Sequence, residues 1–119
     1  MTTLVELFNE AARSELRKRV VVCDADAEWT LGELDLLSDS LAKFFIEKYG
    51  AKKGNCIGIY MNKCAYYVLA YTAALKAGCA YLPLDISYPQ TLLTEILKEI
   101  SPVVICSTAD HVARLPGKF

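Results

Sequence analysis

Histidine is almost missing from this sequence. Among 119 residues His111 alone carries an imidazole. A lone imidazole removes most serine or cysteine triads and leaves no second histidine for a metal site. No G-x-S-x-G nucleophile elbow is present either. Glycine is also sparse, with six residues, and Gly50, Gly54 and Gly58 are spaced too widely and evenly for G-x-G-x-x-G. The phosphate-loop pattern G-x-x-x-x-G-K-[ST] is absent. An excess of either charge is lacking, since 13 basic and 14 acidic residues leave a formal net charge of −1. Without a basic block, neither nucleic acid nor an anionic lipid surface is an expected partner. No apolar run approaches the roughly 20 residues that span a bilayer. The opening MTTLVELFNEAAR has two glutamates and no basic region before a long apolar run, so it does not read as a secretory signal. The five cysteines, Cys23, Cys56, Cys64, Cys79 and Cys106, form no C-x-x-C and sit mostly inside apolar runs. They read as small buried thiols, not a metal or redox site, and imply a reduced, cytoplasmic compartment.

Apolar residues make up 54% of the chain and charged residues 23%, which marks a globular domain. That apolar share is high for so small a domain and fits a piece of something larger. Thr3 and Glu6 form a capping-box pattern ahead of a helix to Ala12, with Leu4, Leu7, Phe8 and Ala11 on one face. Arg19 to Cys23 is a short β-branched strand, followed by a polar turn over Asp24 to Glu28 that Trp29 ends. Thr30 and Glu33 make a second capping box. The helix they start carries Leu34, Leu37, Leu41, Phe44 and Phe45 inward and ends near Gly50. Cys56 to Met61 reads as a central strand buried on both faces. Asn62 is a plausible cap for a helix from Lys63 to Lys76, which Gly78 stops. Ala80 to Leu84 is the next strand. Pro89 stands in the first turn of a further helix whose core stripe is Leu92, Leu93, Ile96, Leu97 and Ile100. Val103 to Cys106 is the last strand, and HVARLPGKF shows no clear element. Alternation of this kind predicts an α/β domain: a partial doubly wound, mostly parallel sheet with helices on both faces and no internal boundary across residues 1–119.

Ligands in such sheets sit beyond the carboxyl ends of the strands. The acids Glu33, Asp39, Glu47, Glu95 and Glu99 fall on solvated helix faces. Six of the seven tyrosines lie between Tyr60 and Tyr88, and this density on a helix packed into a sheet suits a core better than a base-stacking platform. Asp85 follows a strand, where an acid either tightens the turn or faces a ligand; capping and turn chemistry is the commoner use. The residues therefore supply no catalytic, cofactor-binding or metal-ligating set.

The stretch LKAGCAYLPLD, Leu75 to Asp85, resembles the second core motif of the AMP-forming adenylate-forming enzymes, and specifically of the amino-acid-activating adenylation domains of nonribosomal peptide synthetases. WTLGELDLLSDSLAKFF, Trp29 to Phe45, is similar to the first core motif of that family. The segment joining the two, the SYPQTLLTEILKEISPVVICST that follows and the opening TLVELFNEAAR also resemble it, so the likeness covers essentially the whole chain. The sequence departs at Leu31, where tyrosine is usual, at Ile86, where proline commonly follows the aspartate, and at Leu92, in place of a common arginine. The resemblance implies the N-terminal portion of a ligase that joins a carboxylic acid, in this class an amino acid, to ATP with magnesium. The acyl group then passes to the thiol of a carrier protein or of CoA. The family's phosphate loop, ribose-binding acid and late lysine have no counterpart between Met1 and Phe119. By that likeness the chain alone is inactive scaffold with an exposed sheet edge open to self-association. A fatty-acyl or aryl-CoA ligase fragment and a non-catalytic interaction module are the alternatives.

Overall fold

A computed structural model describes residues 3–25 and 27–116. Asp26, within the expected turn, and residues 117–119, at the end of the expected irregular tail, lie outside the described residues. The element order is α1 (Leu4–Ala12), a 3-10 turn (Glu15–Lys18), β1 (Val20–Cys23), β2 (Glu28–Thr30), α2 (Leu31–Tyr49), β3 (Cys56–Tyr60), α3 (Ala65–Lys76), β4 (Ala80–Pro83), α4 (Gln90–Ile100), β5 (Val104–Ser107) and α5 (Ala109–Val112).

Both capping boxes form. Thr3 Oγ1 accepts from Glu6 N–H at 3.0 Å, and Thr30 Oγ1 from Glu33 N–H at 3.1 Å, with each glutamate reaching back to the cap backbone. These contacts satisfy amides that the first helical turn leaves without partners. Gly50 closes α2 in the left-handed region at φ +67°. The cap of α3 is not the expected one. Helix α3 starts at Ala65 after Cys64, whose side chain makes no capping bond. The Ala65 N–H instead donates to the Asp24 carboxylate, brought from 41 residues away. Pro89 occupies the N-cap of α4, with ψ 151°, one step before the first helical turn.

Strands β4, β3 and β5 form a parallel sheet in that order. Alternate residues of β3 serve opposite faces. Ile57 and Ile59 pack with Phe45, Ala70, Ala73 and Ala74 of α2 and α3. Tyr60 packs with Leu93 and Leu97 of α4 and with Leu84. Helices thus cover both faces, as the alternating pattern predicts. Gly58 lies on the α4 side, where a Cβ would stand 3.3 Å from both Ile105 Cγ1 and Leu84 Cδ1.

One strand departs from the expected sheet. β1 pairs antiparallel with β2 as a separate hairpin, with Val22 opposite Trp29 and Cys23 opposite Glu28. Asp24 builds its turn, donating N–H to Ala27 O at 3.0 Å and accepting Ala27 N–H on Oδ1 at 3.0 Å. Glu28 to Thr30 is too short for periodicity to reveal. The helix stripes are also narrower than their sequence pattern. On α2, Leu34 and Phe45 are buried, while Leu37 and Phe44, seven residues apart along one flank, are exposed. On α4, Leu93 and Leu97 are fully buried, while Leu92 and Ile100 are exposed. On α1, Ala12 is buried, whereas Leu4 and Leu7 face solvent. Apolar periodicity records what a helix can bury, and the described elements cover less than that. A single turn, α5, occupies the tail that shows no pattern in the sequence.

Candidate functional site at the carboxyl ends of the strands

The strand order reverses at β3. The chain leaves β3 for β4 through α3 on one face, then crosses to β5 through α4 on the other. Such a reversal opens a crevice between the carboxyl ends of the two strands that flank it, here β3 and β5. Two polar contacts and one ring contact cluster there. Ser107 Oγ donates to Tyr60 O at 2.6 Å. Asn62 Nδ2 and His111 Nε2 lie 3.2 Å apart, and the His111 ring stands edge-on to Tyr60 at 6.2 Å. The Tyr60 hydroxyl is buried and has no hydrogen-bond partner among the described residues.

On the β4 side, the cleft of about 350 Å³ between Asn62 and Tyr88 holds one base, Lys63, and one acid, Asp85. Asp85 tightens the turn. Its Oδ1 accepts from Ser87 N–H at 2.8 Å and from Ser87 Oγ at 2.7 Å. The backbone bond first, then the hydroxyl bond and the Lys63 charge, hold this carboxyl below its ordinary pKa against slight desolvation. A carboxylate held ionised by turn contacts is a poor proton acceptor and serves the backbone first.

The tyrosine cluster is only partly core. Tyr60 is fully buried, while Tyr66 and Tyr81 are exposed. Tyr71 stacks on Tyr81 at 5.4 Å with Tyr67 edge-on to Tyr71 at 6.2 Å, a ladder along the β4 side of α3. Three of the thiols are held in the protonated form. Burial pushes Cys106 up to about 11 and raises Cys56 and Cys79, so each stays protonated near neutral pH. Cys23 is exposed and Cys56, Cys64 and Cys106 are half-buried, so of the five cysteines read as buried only Cys79 is. Among the described residues no cluster of three or more His, Cys, Asp or Glu could hold a metal ion.

The strand ends do not fit ATP with magnesium. Triphosphate needs converging backbone donors or several cations, and among the described residues Lys63 is the one basic side chain lining this cleft. Two arrangements escaped the sequence reading. The Asn62–His111 pair spans 49 residues and leaves no local signal. Lys76 lies at the end of an apolar helix with its side chain 7% exposed, paired with Asp35 Oδ1 at 2.6 Å and Asp39 Oδ1 at 2.7 Å. Its signal was a single cation in an apolar run, facing two acids spaced i, i+4.

With this geometry in place, the profile of the AMP-binding enzymes matches residues 7–117. The chain belongs to that family. It is 34% identical over 113 residues to gramicidin S synthase 1 of Brevibacillus brevis, covering 95% of this chain and 10% of that protein. It is 38% identical over 96 residues to the isonitrile lipopeptide synthase of Mycobacterium tuberculosis, covering 81% of this chain and 4% of that one. It is 28% identical over 114 residues to the glycine betaine reductase ATRR of Emericella nidulans, covering 96% and 9%. The chain thus spans a tenth or less of the length of these relatives. Among solved structures, the nonribosomal peptide synthetase FmoA3 superposes with a TM-score of 0.87 at 23% identity, over 97% of this chain and 12% of that one. Klebsiella oxytoca NpsA, in complex with 3-hydroxyanthranilyl-AMSN, superposes with a TM-score of 0.82 at 20% identity, over 98% and 23%. Both likenesses concern the fold. No described helix is long and apolar enough to cross a membrane.

Proposed function

We propose that these residues are the N-terminal scaffold of a cytoplasmic, AMP-forming adenylation domain that activates an amino acid as its acyl-adenylate for transfer to a carrier-protein thiol. One observation carries the reading: the family match runs over residues 7–117, nearly the whole of this chain. The segment contributes a parallel sheet, its two helical covers and the joint at Gly78. ATP and magnesium would be held by residues outside the segment, where magnesium balances phosphate charge. The amino-acid class is supported by the LKAGCAYLPLD motif and by the peptide synthetases among the relatives.

Adenylate formation requires ATP aligned with a carboxylate and donors on the developing charge. The isolated 119-residue chain is therefore expected to support no exchange of pyrophosphate into ATP with any standard amino acid, and to show no ATP binding by calorimetry at submillimolar ligand. Grafted in place of the corresponding residues of gramicidin S synthase 1, it is expected to leave that enzyme's exchange and amino-acid dependence intact. Exchange by the isolated chain that survives repurification and is lost in Asp85→Asn would establish a minimal site here and overturn the scaffold reading. A folded but inactive hybrid would also count against it.

A further inference from the structure

A cleft of about 380 Å³ lies between α1, β1, α2 and α3, and every residue that lines it falls between Leu4 and Lys76. Val22, Leu31 and Leu34 are its buried lining. Val5 and Phe8, both half-buried, line it from α1. Helix α1 thus forms one side of a hollow whose other sides belong to the body of the domain. Small-molecule sites run from about 300 to 1,000 Å³ and are mostly apolar, so a hollow of this size takes one ring with short substituents.

Three lining residues carry polar side-chain atoms, and each is already engaged. Thr72 Oγ1 donates to Val68 O at 2.7 Å. Tyr71 stacks its ring on Tyr81 at 5.4 Å. The Lys76 ammonium donates to Asp35 O at 3.1 Å, to Asp35 Oδ1 at 2.6 Å and to Asp39 Oδ1 at 2.7 Å, which accounts for all of its protons. Water in the cleft therefore finds few partners, and exchanging such water for apolar surface is favourable. A carboxylate entering the cleft meets two carboxylates already on Lys76. An ammonium meets the Lys76 cation and loses its hydration. An aromatic face needs no proton from Lys76 and can lie against the ammonium, as the Phe8 ring does at 4.8 Å.

We propose that this cleft binds a small, uncharged aromatic molecule and that the bound ring clamps α1 to α2 and α3. The ligand packs on Phe8, Val22 and Leu34 and turns its face to Lys76. Its binding and the docking of α1 are then linked, because α1 supplies one side of the site. The proposal does not rest on the scaffold reading, since none of these residues is asked to take part in adenylate formation.

The test titrates the purified chain with para-fluorotoluene, followed by fluorine NMR, with para-fluorobenzoate and para-fluorobenzylammonium as charged counterparts. The neutral probe is expected to bind saturably, and each charged probe about tenfold more weakly or worse. Amide shifts in the chain should centre on Phe8, Val22, Leu34 and Val68. Val5→Trp places a ring of the chain's own in the cleft and should weaken binding about tenfold or more, with the cooperative melt retained. A second readout does not depend on that variant folding: amides of α1 in the wild-type chain should exchange more slowly once the neutral probe saturates. No saturable binding overturns the proposal, as does equal binding of the charged probes. So do amide shifts centred on other exposed apolar residues such as Phe44 and Leu92, a folded Val5→Trp of unchanged affinity, or α1 exchange that the probe leaves as fast as before.

Discussion

Gly78 and Gly58 sit within one sheet-and-helix layer, yet different physics demands glycine at each. Gly78 takes φ +80°, and the heavy atom nearest to a Cβ placed there would be Lys53 N at 3.9 Å. Space is available, so the demand comes from the left-handed backbone that turns α3 into β4. Gly58 has ordinary backbone but no room, with two side-chain carbons 3.3 Å from its would-be Cβ. Strain at a left-handed non-glycine position costs roughly 1–3 kcal/mol, with β-branched residues worst and asparagine tolerated best. Gly78→Val is therefore expected to lower the denaturation midpoint far more than Gly78→Asn or Ala77→Ser. Equal midpoints for Gly78→Val and Ala77→Ser would show that the left-handed turn carries no strain.

At the scale of elements, Lys76 joins three helices. Its ammonium bonds Asp35 O at 3.1 Å and the carboxylates of Asp35 and Asp39 on α2, and it lies 4.8 Å from the centre of the Phe8 ring on α1. Phe8 also packs against the cluster of Val22, Leu34 and Ala65, and Ala12 is buried, so this cation adds to a small set of apolar contacts that hold the N-terminal helix to the body. The partners differ in exposure. The Lys76 side chain is 7% exposed and that of Asp39 is 61% exposed, so solvent screens much of the second pair. Lys76→Ala leaves Asp35 without its cation and is expected to cost about 2 kcal/mol. Asp39→Ala should cost under about 1 kcal/mol. Urea denaturation of the two variants decides the matter, and equal losses would mean that Lys76 acts through Asp39 alone. Hydrogen exchange should also show α1 opening first in Lys76→Ala.

Taken whole, the molecule exposes apolar surface on several sides: Leu4 and Leu7 on α1, Leu36 and Phe44 on α2, Leu92 and Ile100 on α4. Patches of this kind mark surfaces that meet something else. An apolar dye is expected to bind the isolated, folded chain and to lose most of that binding when the same residues stand inside the gramicidin S synthase 1 hybrid. Equal dye fluorescence in both settings would mean that the longer protein leaves these faces bare.

By itself the sequence determined the elements whose causes are local. Capping boxes at Thr3 and Thr30, the glycine stop at Gly50 and the apolar run of β3 each act within a few residues, and each formed as its pattern predicts. Alternating strands and helices also fixed helices on both faces of a parallel sheet, because right-handed crossovers leave few other arrangements. The tertiary structure decided what depends on distant partners. β1 left the sheet because a three-residue strand after an aspartate turn captured it. The cap of α3 came from Asp24 rather than Asn62, and His111 met Asn62 across the crevice. Which side of each helix stripe is covered was settled in the same way. A periodic pattern states how much apolar surface an element offers, and the neighbours that reach it set how much is buried.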